Sequence, residues 1–219
     1  IGAGNELSVT VAAQNALDNV ARFQSTAASS GTSESLVKVY KGAGYGGVVS
    51  GYITQGVDHG LKLYTANNGA LTEQFRINSS GVITQPNQPV FSGVYVGSQT
   101  ANFVTSEFTM NFNTVMTNQG NHYNTSTGEY TCPVVGKYWI SAQAHLQQQT
   151  GGAYTTLRLQ KNGGLQSNAW KADGSGGTLF AHAIVSCGAN DVLRVRVQTN
   201  DSTQYTAERY WVASIYLMA

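Results

Sequence analysis

The stretch FNTVMTNQGNHYNTSTGEYTCPVVGKYWISA, residues 112–142, has an unusual spacing of aromatic, amide and glycine residues. Its intervals fit neither the 3.6-residue period of a helix nor the simple alternation of a strand. Gaps of five, four, six, five and one residues separate, in order, Phe112, Asn118, Tyr123, Tyr130, Gly136 and Tyr138. We interpret this spacing as a fold signature.

The second half of the stretch predicts a β-strand with one buried side and one solvent-facing side. Gly128 and Gly136 are turn residues, and Pro133 ends the strand before it because proline lacks a backbone N–H donor. Beyond Gly136, one side of the strand carries Tyr138, Ile140, Ala142, Ala144 and Leu146. This alternation is typical of any antiparallel sandwich, so only the spacing indicates a particular family.

The spacing resembles that of the C1q domain. That family has a small acid or amide at the position of Asn118, an aromatic residue at Tyr123, and glycine and tyrosine at Gly136 and Tyr138. The departures, at positions where the family usually has phenylalanine or another aromatic residue, are Tyr130, Ile140 and Ala142. Core packing around these positions is therefore expected to differ from that of the family.

The resemblance implies an all-β chain that ends in a C1q/TNF-like jelly-roll sandwich and assembles as a homotrimer. Residues 213–217 resemble the last strand of the family, which lies in the middle of the inner sheet. In that fold the strand after Pro133 is antiparallel to the strand that ends at Cys187, which brings Cys132 and Cys187 near each other. Two alternatives remain open: a disulfide, or two small buried thiols.

The composition limits the classes of function. Charged residues make up 11% of the 219 residues and the net charge is +1, which argues against a nucleic-acid-binding protein. No apolar run reaches eighteen residues, so no membrane span is predicted, and the chain does not open with a secretory signal pattern. Because the chain starts at Ile1 and not at a methionine, we expect a fragment or a processed product.

Pro86-Asn87-Gln88-Pro89 predicts a connector between two regions, residues 1–88 and 89–219. The first region is rich in glycine, and its predicted strands are residues 6–11, 20–25, 36–40, 48–54, 61–65, 75–78 and 82–84. These strands carry few large apolar residues, so oligomerisation is expected to supply the missing core. Residues 20–26 and 75–86 resemble segments that recur in bacteriophage tail-fibre and virion structural proteins, which implies a shaft or virion-attachment region.

The second region has longer alternating strands, predicted at residues 105–112, 131–146, 155–160, 179–186, 192–198 and 209–217. Lys161-Asn162-Gly163-Gly164 predicts a tight hairpin, since Asn-Gly accepts the left-handed angles of a type I′ turn. Six or more antiparallel strands form a sandwich. This region is therefore predicted to be the jelly-roll knob.

Catalytic and cofactor sites are not predicted. Residues 42–47 match a dinucleotide fingerprint by letter, but a strand pattern follows them where phosphate binding requires a helix N-terminus. The four histidines lack metal-ligand spacing, and the carboxylates are too scattered to predict a glycosidase pair or a calcium site. We therefore predict a chain that is not an enzyme and has no metal or cofactor.

Aromatic and amide side chains in loops indicate a binding surface instead. The candidate ligand-binding residues are Tyr154, Trp170, Lys171, Asp173, Tyr205, Tyr210 and Trp211. Each has a structural alternative: Tyr210 and Trp211 are also suited to packing under the final strand, and Trp170 to lining a subunit interface.

Together these observations predict a trimeric fibre or receptor-binding protein of a bacteriophage virion that attaches to a host-surface glycan or protein receptor. Other virion proteins are its expected partners. One alternative is a capsid decoration or baseplate protein. The other is a secreted C1q-like lectin, which lacks support from any collagen-type Gly repeat before the knob but is compatible with the glycosylation patterns at Asn78, Asn124 and Asn200.

Overall fold

The structure is a computed structural model that describes residues 32–40, 46–54, 58–68, 70–96, 99–101, 107–146, 154–171, 177–199, 205–207 and 211–218. All regular elements in these ranges are β-strands, which confirms the predicted all-β fold. In this part of the chain there is no helix of the length and hydropathy needed to cross a membrane. The chain divides into two compact units, Ile1–Asn87 and Gln88–Ala219.

The described part of the first unit forms an antiparallel sheet in which each strand pairs with the next along the chain. Its strands are β1 (Thr32–Tyr40), β2 (Gly46–Thr54), β3 (Asp58–Asn67), β4 (Ala70–Ile77) and β5 (Ile83–Thr84). The turn between β4 and β5 is fixed by Asn78, whose Oδ1 accepts hydrogen bonds from the N–H groups of Ser80 and Val82 at 3.1 and 2.8 Å. The strands predicted at 6–11 and 20–25, and the fibre-like segment 20–26, lie outside the described residues.

The second unit is a sandwich of two main sheets. Its described strands are β6 (Val90–Tyr95), β7 (Gln99–Ala101), β8 (Phe108–Thr109), β9 (Thr114–Gln119), β10 (Tyr123–Asn124), β11 (Glu129–Thr131), β12 (Gly136–Leu146), β13 (Thr155–Lys161), β14 (Gly164–Lys171), β15 (Gly177–Cys187), β16 (Val192–Thr199), β17 (Tyr205–Ala207) and β18 (Trp211–Leu217). One sheet has the order β15-β12-β18-β6-β9, and the other has the order β10-β11-β16-β13-β14 with β8 paired to β16. Strands β7 and β17 form a separate pair.

The core lies between these two sheets. Strand β12 contributes Tyr138, Ile140, Ala142 and Ala144, all buried, which confirms the predicted inward side of this strand for every described residue. The facing sheet contributes Leu157 and Leu159 from β13 and Leu193, Val195 and Val197 from β16. Most outward residues of both sheets are more exposed, as expected for a sandwich whose strands alternate between core and solvent. The exceptions on β13 are Thr156 and Gln160, which are 7% and 4% exposed.

Two topological expectations are confirmed. Gly136 pairs with Cys187 in the antiparallel register of β12 and β15, as predicted for the strand that follows Pro133. Strand β18 pairs with β12 on one side and β6 on the other, so the last strand lies in the middle of its sheet. The predicted hairpin after Lys161 is also present, and Asn162 and Gly163 have φ values of +50° and +83°.

Two predicted strands are wrong in extent. In the described part of 105–112 only Phe108–Thr109 is a strand, because the N–H of Phe112 donates to the Tyr123 hydroxyl at 2.9 Å and not to a neighbouring strand. The strand predicted at 131–146 is two strands, β11 and β12, on different sheets. The break contains Pro133, which cannot donate to a ladder.

Candidate interaction surfaces

The first half of the signature forms a buried aromatic cluster closed by a side-chain amide. The Tyr123 ring stacks on Phe91 with centroids 3.9 Å apart, and the Phe112 ring lies 6.2 Å from it. Asn118 donates from Nδ2 to the Tyr123 carbonyl and accepts the Tyr123 N–H at Oδ1, both at 3.0 Å. The turn between these residues includes Gly120 with a φ of +81°, a left-handed conformation that suits glycine. The spacing of the signature thus lets the side-chain amide of Asn118 bridge the turn to the backbone of Tyr123.

The second half of the signature fixes the start of β12. The Tyr138 hydroxyl donates to the Val134 carbonyl at 2.9 Å, which ties the loop after Pro133 to the core. The Tyr130 ring packs edge-on against Tyr138 with centroids 6.1 Å apart. Burial raises the pKa of Tyr130, whose hydroxyl has no hydrogen-bond partner within the described part of the chain. This orphan hydroxyl lies at a position where the family usually has phenylalanine.

Cys132 and Cys187 lie next to each other in the core, as the predicted strand pairing requires. Both are buried and free, and a hydrogen bond joins their side chains. Burial raises the pKa of both thiols, so they remain protonated at neutral pH. Of the two alternatives left open by the sequence, the structure has the pair of buried thiols.

The outer side of the β15-β12-β18 layer carries a patch that we call the apolar face, defined by Trp139, Phe180, His182, Ile184 and Tyr216. Phe180 and Ile184 are 64% and 56% exposed. The Trp139 ring stacks on His182 at 5.5 Å and lies 6.4 Å from the Tyr216 ring. Contiguous exposed apolar surface of this kind marks an interaction site in soluble proteins.

The outer side of the opposite sheet carries what we call the polar face, defined by Glu107, Arg158, Gln160, Trp170 and Arg196. The Glu107 carboxylate contacts Arg158, accepts from Gln160 Nε2 at 2.8 Å, and lies 2.7 Å from Arg196 Nη1. The strand register places Arg158 opposite Arg196. A short distance along the sheet, Arg194 forms a second ion pair with Glu129. These guanidinium groups are held in fixed positions by the carboxylates between them.

The carboxylates of these ion pairs are stabilised in their charged form. Burial raises the pKa of Glu107, but hydrogen bonds from Gln160 and Arg158 and the charges of Arg196 and Arg158 outweigh it, so the net pKa is lowered. The hydrogen bond from Arg194 is the main cause of the lowered pKa of Glu129. Both carboxylates therefore favour the folded chain when they are ionised.

We expect the folded chain to lose stability as the pH falls below the ordinary carboxyl pKa of 4.5. A carboxyl whose pKa is lowered by folding stabilises the folded state above that value, and the stabilisation is lost as the pH falls through the folded-state pKa. Glu107→Gln should lower the thermal midpoint at pH 7 by roughly 3–8 °C and make its acid dependence less steep. Thermal melts from pH 3 to 7 check this. Identical slopes in the variant and the unmodified chain would contradict it.

The structure describes the side chains of three of the seven predicted ligand-binding residues: Tyr154, Trp170 and Trp211. Tyr154 and Trp170 are 39% and 66% exposed and lie at the same end of the β13–β14 hairpin, where Trp170 pairs with Thr156. Lys171 and Tyr205 have strand backbones, in β14 and β17, but their side chains lie outside the described residues, as do Asp173 and Tyr210 altogether.

The prediction that Trp211 binds a ligand is wrong. It is 1% exposed, packs beside Tyr95, and donates from Nε1 to the His145 carbonyl at 2.7 Å. The side chain is therefore part of the core and is not available to a ligand, because residues 211, 213 and 215 of the final strand all face inward. This is the packing alternative that the sequence left open.

Sequence reasoning missed the rest of the polar face. Glu107 is 51 residues from Arg158 and 53 from Gln160 along the chain, so no local pattern joins them. The sequence did contain a signal for the apolar face, because Phe180 and Ile184 of β15 alternate with residues of its buried side. Among the described residues there is no group of three or more His, Cys, Asp or Glu side chains arranged to hold a metal.

The model of the C1q domain family matches residues 91–218 of this chain. The globular domain of the zebrafish complement 1qA protein is 18% identical, with a TM-score of 0.49 over 60% of this chain and 98% of that chain. Two structures of murine APRIL, at pH 8.5 and pH 8.0, are each 9% identical over 59% of this chain and 99% of that chain, with TM-scores of 0.44 and 0.45. No curated protein matches the chain.

The family match spans more than half of the chain and covers the whole signature. The described strands over the same residues form the jelly-roll sandwich expected of that family. C1q domains are trimeric, non-enzymatic modules that bind ligands or receptors. This chain belongs to the C1q domain family.

Proposed function

We propose that this chain is a homotrimeric, non-enzymatic attachment protein that binds a surface glycan through the polar face of its C1q domain. The observation that carries the proposal is the contrast between the two outer sides of one sandwich. One is apolar and suited to other subunits, and the other combines an exposed indole with fixed guanidinium groups and amides.

The apolar face supports trimerisation. An aromatic patch with Phe180 at 64% exposure is costly to leave in water, and burial against other subunits removes that cost. His182 stacks on Trp139, and a polar side chain of this kind is compatible with a subunit interface. Subunits that associate through this layer leave the polar face of each copy directed away from the contact, since it lies on the opposite sheet.

The polar face supports sugar recognition. Trp170 offers a flat apolar surface on which a pyranose ring stacks, and the exposed Asn168 lies two residues before it on the same side of β14. Asn168 pairs with Arg158, so amide and guanidinium groups lie side by side across the strands. These groups donate hydrogen bonds to hydroxyl or carboxylate oxygens of a glycan.

Three such sites in one trimer convert weak glycan contacts into tight binding. A second contact made within the same assembly benefits from a high effective concentration, so the avidity exceeds the affinity of one site. We place this attachment protein in a virion fibre, with the first unit as shaft or virion-attachment region. The resemblance of residues 75–86 to fibre segments and the β-meander that contains them support this setting.

Two other settings use the same binding module. In a capsid decoration or baseplate protein, the C1q domain stabilises neighbouring virion proteins. In a secreted C1q-like lectin, glycans are expected on the patterns at Asn78 and Asn124. Mass spectrometry of the protein from its natural source separates the secreted lectin from the two virion settings, because attached glycans favour the lectin and co-purifying virion proteins favour a virion component. A particle from which the protein is deleted should fall apart if the protein is a decoration or baseplate part, and should only fail to adsorb if it is a fibre.

We expect Trp170→Ala to weaken glycan binding by about tenfold or more, because an exposed aromatic that stacks on a ligand dominates the binding energy of its site. The thermal midpoint and the solution mass should not change, since the side chain is 66% exposed. Binding of the full chain to a glycan array and to candidate host cells is the measurement.

The matched control for this prediction is Leu165→Ala. Leu165 is 54% exposed and lies at the other end of β14, roughly 16 Å away from Trp170 along the strand. The Leu165→Ala chain should bind glycans as tightly as the unmodified chain does. An equal loss in both variants would refute Trp170 as the stacking residue, and a trimer that binds neither glycans nor cells would refute glycan binding by the polar face.

A further inference from the structure

The sheet of the first unit has two sides of opposite character. One side carries the charges: Arg76 forms two hydrogen bonds with the Glu73 carboxylate at 2.9 and 2.7 Å, and Lys62 Nζ lies 3.8 Å from the same carboxylate. Lys62 also lies 4.3 Å above the Tyr52 ring. Tyr52 and Lys62 are 3% and 8% exposed, so the charged side is the buried one.

The other side carries two apolar rows that run across the strands. The register places Val49 beside Leu63 and Leu63 beside Phe75, and it places Leu61 beside Ile77 and Ile77 beside Ile83. Val49 is 46% exposed, Leu61 and Leu63 are each 37% exposed, and Ile83 is 57% exposed. We call these six residues the apolar rows.

An exposed apolar side opposite a buried charged side is the reverse of the usual arrangement in a soluble sheet. Within the described residues of β3 and β4, the charged side chains Lys62, Glu73 and Arg76 all lie on the opposite side by register. The rows therefore fit a partner surface that is apolar and uncharged.

We propose that this partner is the same face of the other copies of the chain, so that the apolar rows of three chains form a shared interior. This inference rests on the proposed homotrimer. The first unit ends two residues before Pro89 and continues directly into β6 of the C1q domain, so a trimer of that domain holds three sheets together at high effective concentration. A face without charges packs against copies of itself without bringing like charges together.

Cysteine cross-linking in the full chain tests this arrangement. Leu63→Cys places a thiol on the apolar rows, and Leu71→Cys is its matched control. Leu71 is the same residue type, is 39% exposed, and pairs with Ala66 on the charged side of the sheet. The natural Cys132 and Cys187 are 0% and 4% exposed. Oxidation of the unmodified chain measures any background cross-linking through these two thiols.

Mild oxidation of dilute protein should convert most of the Leu63→Cys chain into a covalent dimer on a non-reducing gel. Leu71→Cys should give no more than the background. A second thiol on the rows, Ile83→Cys at a position that is 57% exposed, should cross-link like Leu63→Cys if the first substitution alters local packing.

The outcomes separate this inference from the proposed function. A trimeric mass without cross-linking from either row position would overturn the inference and leave the trimer intact, because the rows would then face residues 1–31 of the same chain or another protein. Equal cross-linking of Leu63→Cys and Leu71→Cys would overturn it as well, since the contact would not be specific to one side. A monomeric mass would refute the proposed function itself.

Discussion

Phe180→Asp should convert the trimer into monomers. Phe180 is 64% exposed and lies at the apolar face, so three copies of the substitution bring three carboxylates into one interface. Each subunit loses roughly 2–3 kcal/mol of apolar burial, and the buried charge adds a further penalty of several kcal/mol. Light scattering measures the change in mass, and circular dichroism checks that the sheets remain folded.

The control for Phe180→Asp is Leu165→Asp, which adds the same charge at a 54% exposed apolar side chain on the opposite sheet. This control should keep the mass of the unmodified chain. A Phe180→Asp chain that remains trimeric would show that the apolar face is not the subunit interface. A monomeric control would show that added charge alone prevents assembly.

Tyr123→Ala should destabilise the C1q domain by about 3–5 kcal/mol, a large share of the 5–15 kcal/mol that stabilises a typical domain. The substitution removes a ring stacked at 3.9 Å on Phe91 and a hydroxyl that accepts the Phe112 N–H at 2.9 Å. Burial raises the pKa of this tyrosine to about 12, so the hydroxyl is neutral at any pH near 7. Equilibrium unfolding in denaturant gives the free energy of unfolding.

Tyr123→Phe is the control for the ring, because it keeps the stacking and removes only the hydroxyl. The Phe112 N–H then loses its partner, and the expected cost is about 1–3 kcal/mol. A Tyr123→Ala chain with the same midpoint as the unmodified chain would contradict the role of the signature as a packing unit.

The sequence predicted the parts of the fold that depend on short-range patterns. The alternation after Gly136 identified the buried side of β12, and Asn162-Gly163 identified the β13–β14 hairpin. The signature spacing identified the family, and its physical basis is local: Asn118 bridges a turn of only five residues to reach Tyr123.

The remaining parts depend on contacts that the chain makes at long range. Glu107 meets Arg196, 89 residues further on, and the sequence pattern around either residue does not indicate the other. Trp211 illustrates a different limit, since an aromatic beside a loop suits both a ligand and the core until the register of the last strand is known. The register turned Trp211 inward, beside Tyr95.

Tyr130 shows what a departure from the family pattern does to the core. Its ring fills the expected place against Tyr138, while its hydroxyl is buried with no hydrogen-bond partner among the described residues. The departure was readable from the sequence as a tyrosine at a phenylalanine position. Its consequence was not, because it depends on which polar groups lie around the ring.

The solution mass of the full chain tests the central claim most directly. Static light scattering at several protein concentrations should give a mass near that of three 23.3 kDa chains, unchanged on dilution through the micromolar range. A mass near that of one chain at every concentration would contradict the trimer, and with it the assignment of the apolar face and of multivalent attachment.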